Sequence, residues 1–77
     1  MDERTIVFEV TERIAVLSSK GGYTTELNKV SFNGAAAKLD LRRWRDGKPM
    51  KGIALTPEEA RALRDALTGY DLDGYEL

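Results

Sequence analysis

Hydrophobic and polar residues alternate over long stretches of the first 55 positions, which is the period-2 pattern of half-buried β-strands. In the first stretch Glu12 interrupts an apolar side formed by Phe8, Val10, Ile14 and Val16. Glycine-containing turn sequences separate the stretches, because glycine accepts the positive φ values of tight turns. The pattern predicts four strands, at residues 8–19, 23–32, 38–45 and 50–55.

The hydrophobic spacing becomes helical after residue 55. Thr56 is a typical N-cap, Pro57 suits the first helical position, and Glu59 completes a capping box with Thr56. Gly69 is typical of a C-terminal cap. The expected fold is α+β, a four-stranded antiparallel sheet followed by one C-terminal helix. We expect a single domain over residues 1–69 and an acidic tail over residues 70–77.

The composition removes several classes of site. The chain has 77 residues with no histidine and no cysteine, which excludes an imidazole base, a thiolate nucleophile, a zinc finger and disulfides. We expect no enzyme, no cofactor, no metal site and no small-molecule substrate. A domain of this size buries only about 60% of the surface of its unfolded chain. We therefore expect a homodimer, in which a second copy completes the core.

Membrane insertion is not expected. No apolar run approaches the ~20 residues of a membrane helix, and residues 1–4 lack the basic start of a signal peptide. We expect the protein to stay in the cytoplasm.

The charges are segregated along the chain, although the net charge is only -1. Residues 38–51 hold six basic and two acidic side chains, a local charge of +4. Residues 52–77 hold two basic and six acidic side chains, a local charge of -4. A basic block in a neutral protein suggests a surface for a polyanion. The alternative is a solvated edge strand that its charges protect from aggregation.

A tryptophan lies inside the basic block. Alternation in the third strand puts Lys38, Asp40, Arg42 and Trp44 on one side of the sheet, opposite Leu39 and Leu41. An exposed indole between cations suits base stacking, which is worth about 1 to 3 kcal/mol per base. The alternative is that Trp44 fills the core or a subunit interface. The pattern leaves both open.

Further residues could serve the same surface. Phe32 beside the Asn33-Gly34 turn is either a second stacking platform or a core residue, and Tyr23 has the same two interpretations. Cations elsewhere are phosphate candidates, although each alone is more often simply solvated: Lys29, Arg43, Arg45, Lys48 and Lys51.

Two segments resemble the positive cofactor four family of transcriptional coactivators. They are residues 38–44 (KLDLRRW) and residues 51–59 (KGIALTPEE), and residues 26–34 (ELNKVSFNG) are similar to the bacterial YdbC-like branch of that family. The resemblance implies a curved sheet, a dimer formed largely through the helices, and channels for single-stranded DNA. By position it implies that Trp44 and Phe32 stack on bases. It also implies four residues at or near phosphates: Arg42, Lys51, Lys38 and Lys29.

On this basis we expect a sequence-nonspecific single-stranded DNA-binding protein, similar to a transcriptional coactivator. It would be nucleoid-associated in a bacterial cytoplasm, act in transcription, replication or repair, and bind duplex DNA more weakly. One alternative is a single-stranded RNA binder, since nothing in the sequence visibly reads a 2′-hydroxyl. The other is a protein-interaction adaptor that docks an acidic partner through Trp44 and the basic strand.

Overall fold

The computed structural model describes residues 7–74. The described chain forms four strands and one helix, which are β1 (Phe8–Lys20), β2 (Tyr23–Phe32), β3 (Lys38–Arg45), β4 (Lys48–Leu55) and α1 (Pro57–Thr68). The strands form one antiparallel sheet in the order β1-β2-β3-β4. The α+β prediction of four strands followed by one helix is confirmed.

Two strand junctions are tight hairpins. Gly21 and Gly22 join β1 to β2, and Asp46 and Gly47 join β3 to β4, all with positive φ. Two successive positive φ values are the signature of the two-residue hairpin that matches strand twist. The predicted start of the fourth strand at residue 50 is therefore two residues late, and Pro49 lies within β4. An edge strand such as β4 tolerates a proline, because the position of the missing backbone N–H can face solvent.

Strand β1 does not keep the simple alternation that its sequence suggests. Its register with β2 shifts three times, between Val10 and Glu12, between Arg13 and Ala15, and between Val16 and Ser18. Each shift adds one residue to β1 and reverses the side to which the next residues point. The prediction that Ile14 and Val16 continue the half-buried apolar side of Phe8 and Val10 is wrong, because Ile14 and Leu17 lie in bulges and, like Val16, are exposed.

Helix α1 begins and ends where the capping signals predict. The Glu59 backbone N–H donates to Thr56 Oγ1 at 3.0 Å, and Glu59 Oε1 accepts from the Thr56 backbone N–H at 2.9 Å. At the other end the Gly69 N–H donates to the Asp65 carbonyl at 3.1 Å. The capping box satisfies two N–H groups that the first helical turn leaves without partners.

The most buried positions lie on the sheet and most of them are polar. Among residues 7–74 the buried apolar side chains are Val30 and Trp44, and the buried polar ones are Glu26, Asn28, Ser31 and Asp40. In this single chain α1 contains no buried residue. Stability of the described chain therefore depends on how well these buried polar groups are paired.

The predicted acidic tail is only partly described. Residues 70–74 follow α1 as turns, and residues 75–77 lie outside the described residues. Within the described part of the chain no helix has the length and apolar character needed to span a membrane.

Candidate functional site

The register between β2 and β3 assigns their residues to two faces, because directly paired residues point to the same side of a sheet. We name one the Asp40 face, and it holds Thr24, Glu26, Asn28, Val30, Lys38, Asp40, Arg42 and Trp44. The other is the helix face, since α1 lies against it beside Leu39 and Leu55. The helix face holds Tyr23, Thr25, Leu27, Lys29, Leu39, Leu41, Arg43 and Arg45.

An ion pair occupies the middle of the Asp40 face. Arg42 Nε and Nη2 donate to the two carboxylate oxygens of Asp40 at 2.7 and 2.8 Å, and the Asp40 side chain is fully buried. Arg42 Nη1 donates to the Met50 carbonyl oxygen at 2.8 Å. The bidentate geometry satisfies the buried carboxylate, which would otherwise be strongly destabilising.

Two aromatic rings cover the Arg42 guanidinium. Its central carbon lies 5.1 Å from the Phe8 ring centroid and 5.9 Å from that of Phe32, and the two rings meet edge to face at 4.8 Å. Arg42 is paired with Glu26, so a flat sheet would place Phe32 about 20 Å along β2 from that position. These contacts indicate that the sheet bends toward the Asp40 face, as bulged strands do.

Glu26 is the second buried acid on this face. Its carboxylate accepts from the Thr24 hydroxyl at 2.6 Å, from Asn28 Nδ2 at 3.0 Å and from Arg13 Nη1 at 3.1 Å. The hydrogen bonds from Thr24 and Asn28 hold the pKa of Glu26 below its ordinary value, and the Arg13 charge acts in the same direction against the effect of burial. Glu26 is thus kept ionised, and its negative charge opposes anion binding on this face.

Trp44 is buried on the Asp40 face. It is 8% exposed, it is paired with Thr24 and Pro49, and its Nε1 has no hydrogen-bond partner in the described part of the chain. The expectation of an exposed indole between cations is wrong, and the alternative of a core or interface residue is the one that the structure favours. The two neighbours of Trp44 across the adjacent strands, Thr24 and Pro49, lie on the same face beside it.

A basic groove lies on the helix face, at the end of the sheet that carries both tight hairpins. Its main part has a volume of about 500 Å3 and is lined by Tyr23, Thr25, Leu41, Arg42, Arg43, Met50 and Lys51. A smaller part of about 260 Å3 shares Tyr23, Thr25 and Arg43 and adds Ser18 and Lys20. All four strands therefore contribute to the basic groove. We call its apolar and aromatic residues Tyr23, Leu41 and Met50 the floor, and its exposed cations Lys20, Arg43 and Lys51 the rim.

Arg45 and Tyr23 form a stacked pair at one end of the basic groove. The Arg45 guanidinium carbon lies 4.9 Å from the Tyr23 ring centroid, and its Nη1 donates to the Tyr23 hydroxyl at 3.0 Å. Arg45 also approaches Asp46 at 3.9 Å, but both side chains are exposed and such a pair is weak. The contact orders a planar guanidinium and an aromatic ring, the two surfaces on which bases stack.

The cations of the basic groove have few acidic neighbours. Within residues 7–74 no carboxylate lies within 4.0 Å of Lys20, Arg43 or Lys51. Lys48 is paired with Arg45 in the sheet and adds a further positive charge. The local charge predicted from residues 38–51 is therefore concentrated on the helix face.

One comparison places the chain in a family. A protein of Treponema pallidum (strain Nichols), described only as an uncharacterized protein, is 42% identical to it over 71 residues. The alignment covers 88% of this chain and 84% of the Treponema protein. The chain belongs to the same family as this Treponema protein. No protein-family model matches the chain.

In this member of the Treponema protein's family, the six residues predicted to bind nucleic acid do not form one surface. Phe32, Lys38, Arg42 and Trp44 belong to the Asp40 face, whereas Lys29 and Lys51 belong to the helix face. Lys29 and Lys38 lie near the N-terminus of α1, beside a different cavity of about 330 Å3. Lys51 and Arg42 line the basic groove, and the three N–H groups of Arg42 that form hydrogen bonds bind Asp40 and Met50.

Several groove residues were not selected from the sequence. Thr25 and Met50 carry no signal of their own, and Tyr23, Arg43 and Arg45 were each ambiguous when taken singly. The register Tyr23 to Arg45 and Thr25 to Arg43 brings them together. Counting residues outward from the tight turn at Asp46-Gly47 predicts which residues of β3 and β4 are paired. The register between β2 and β3 cannot be found in this way, because it depends on how the longer loop between them folds.

Proposed function

We propose that this protein binds single-stranded DNA without sequence preference, in the basic groove. The observation that carries the proposal is the pairing of an apolar and aromatic floor with rim cations that have no carboxylate within 4.0 Å among residues 7–74. Leu41, Met50 and the Tyr23 ring offer surfaces for bases, while Lys20 and Arg43 reach outward for phosphates. A volume of about 500 Å3 is within the range of sites that hold a drug-sized ligand, which is larger than one base.

The groove chemistry favours a single strand over a duplex. A base can reach Tyr23, Leu41 and Met50 only if it is unstacked, because a duplex buries its base faces between neighbouring pairs. The cations would still attract the phosphates of a duplex, so duplex binding is expected to be weaker but not absent. The resemblance to transcriptional coactivators supports a nucleoid-associated role in transcription, replication or repair.

Removing single groove cations should lower the salt dependence of strand binding. For Arg43→Ala and Lys51→Ala, we expect weaker binding to labelled oligo(dT) and a salt slope smaller in magnitude by about 0.7 each, because each cation neutralises one phosphate. Fluorescence anisotropy at several salt concentrations measures both quantities. Lys38→Ala is the matched control, since it removes the same charge from an exposed residue outside the groove.

Three outcomes would count against this assignment. If Lys38→Ala lowers the slope while Arg43→Ala leaves it unchanged, the site lies on the Asp40 face. If oligo(dT) and duplex DNA compete equally, the protein has no preference for single strands. If a matched RNA oligonucleotide displaces the DNA at lower concentration, the ligand is RNA.

We further propose a homodimer that pairs the helices. Leu63 and Leu67 on α1 are 41% and 46% exposed, and Ile53 on neighbouring β4 is 54% exposed. Beside them an apolar cavity of about 350 Å3 separates α1 from Leu27, Leu39 and Leu55 of the sheet. Exposed apolar side chains grouped beside such a cavity are typical of an interface, and a second copy would complete the core of this small domain.

A charge placed on the α1 surface should separate the subunits. We expect Leu63→Glu to sediment as a folded monomer, because Leu63 is already partly exposed in the single chain. Leu17→Glu makes the same change at an exposed leucine of β1 and should remain dimeric. Sedimentation equilibrium decides the point, and a wild-type monomer or a dimeric Leu63→Glu variant would contradict a dimer through this surface.

A further inference from the structure

Arg42 has little capacity left for a phosphate. Three of its five N–H groups are used, two by Asp40 and one by the Met50 carbonyl, and its side chain is only 12% exposed. The rings of Phe8 and Phe32 lie against the guanidinium. A strand that bound Arg42 directly would meet a guanidinium whose charge a fully buried carboxylate already neutralises.

The Met50 carbonyl belongs to a bulge in β4. Arg42 is paired with Gly52 and Trp44 with Pro49, so Met50 and Lys51 together lie opposite the single residue Arg43. A bulge interrupts the ladder and leaves the extra residue without its regular backbone partner. The Arg42 guanidinium donates to the Met50 carbonyl at this interruption.

The same bulge supplies two groove residues. Met50 contributes to the floor and Lys51 to the rim, and Arg43 across from them completes that part of the groove. The position of the Lys51 ammonium therefore depends on the conformation of the bulge. The Arg42 side chain donates to the Met50 carbonyl at this bulge, and Asp40, which lies on the same face as Arg42, neutralises its charge.

We propose that Arg42 is a positioning residue of the basic groove, which holds the Met50–Lys51 bulge so that Lys51 meets the strand. The inference rests on the proposed function, because it names how one side of that groove is held. Asp40 fixes two donors of the guanidinium and thereby aims the third at Met50. Lysine cannot replace arginine in this role, since an ammonium lacks the planar fork that binds both oxygens of a carboxylate and a third acceptor together.

The test compares salt slopes for oligo(dT) binding in four proteins: wild type, Lys51→Ala, Arg42→Lys and the double variant. Arg42→Lys keeps the positive charge. If residue 42 contacts a phosphate directly, the salt slope of Arg42→Lys should be unchanged, and its loss of affinity should add to the loss caused by Lys51→Ala. Positioning predicts a slope smaller in magnitude by about 0.7 in Arg42→Lys and no further decrease in the double variant. Unchanged slope or additive losses would overturn the proposal.

Asp40→Asn provides a second route to the same answer. Asp40 is fully buried and makes no contact with bound DNA, so a smaller salt slope in this variant would act through its hydrogen-bond partner Arg42. Backbone amide spectra of each variant confirm folding and report whether the Lys51 amide shifts while the α1 amides stay in place. An unmoved Lys51 amide and an unchanged slope would contradict positioning. A wild-type protein that does not bind oligo(dT) would instead refute the proposed function itself.

Discussion

The Gly52→Ala variant should lose about 3 kcal/mol or more of its free energy of unfolding, because a β-carbon at this position has no room. Built on the backbone of Gly52, it would overlap Arg42 Cβ, lie 2.5 Å from Arg42 Cα and lie 2.6 Å from the Leu41 carbonyl oxygen. These atoms belong to the facing strand and cannot rotate away. We expect β3 and β4 to separate locally, beside the bulge that carries Met50 and Lys51.

Urea unfolding followed by far-ultraviolet circular dichroism measures this loss. Gly69→Ala is the matched control, because its added β-carbon would lie 3.6 Å from the Asp65 carbonyl oxygen, an ordinary contact, and its φ of -85° suits any residue. A Gly52→Ala variant as stable as the control would show that the two strands can move apart at little free-energy cost. The close approach at Arg42 would then not be a requirement of the fold.

Replacing Trp44 by alanine should lower the free energy of unfolding by about 3 to 5 kcal/mol. The side chain is 8% exposed, and its removal leaves a cavity among Thr24, Pro49 and their neighbours. Domains are stable by only about 5 to 15 kcal/mol in total, and a small one lies near the lower limit. The variant is therefore expected to be largely unfolded at physiological temperature, and its binding of single-stranded DNA would be lost for that reason.

Trp44→Phe separates burial from base stacking. It keeps an aromatic ring and removes the Nε1–H that has no partner within residues 7–74, so it should be markedly more stable than Trp44→Ala. We expect its affinity for oligo(dT) to stay near the wild-type value. A Trp44→Ala variant that unfolds at the wild-type urea concentration but binds the strand weakly would contradict burial and support stacking on the indole.

Signals confined to a few neighbouring residues predicted most of the secondary structure. The capping box needs only Thr56 and Glu59, which are three positions apart, and both tight turns are encoded by their own glycines. The prediction was weaker where a strand departs from regular geometry. Strand β4 begins early, at Lys48, because the turn uses only Asp46 and Gly47, whereas the prediction counted Lys48 and Pro49 as part of the turn.

The candidate site was predicted only in part. The sequence placed the positive charge in β3 and β4 and identified Lys51, which does line the basic groove. Alternation also put Lys38, Arg42 and Trp44 on the same face, and the β2–β3 register confirms that they share it. What alternation could not show is that Glu26 shares this face, that Asp40 is fully buried and paired with Arg42, and that Trp44 is buried.

The sequence by itself determined the order of the elements, the ends of the helix, the absence of histidine and cysteine chemistry, and the location of the basic block. Only the tertiary structure decided which cations share a surface and which are neutralised. The reason is physical: a bulge shifts a strand by one residue and reverses its faces, and a bent sheet buries side chains that a flat one exposes. Arg42 illustrates both effects, because its partners Asp40, Met50 and Phe8 come from three different strands.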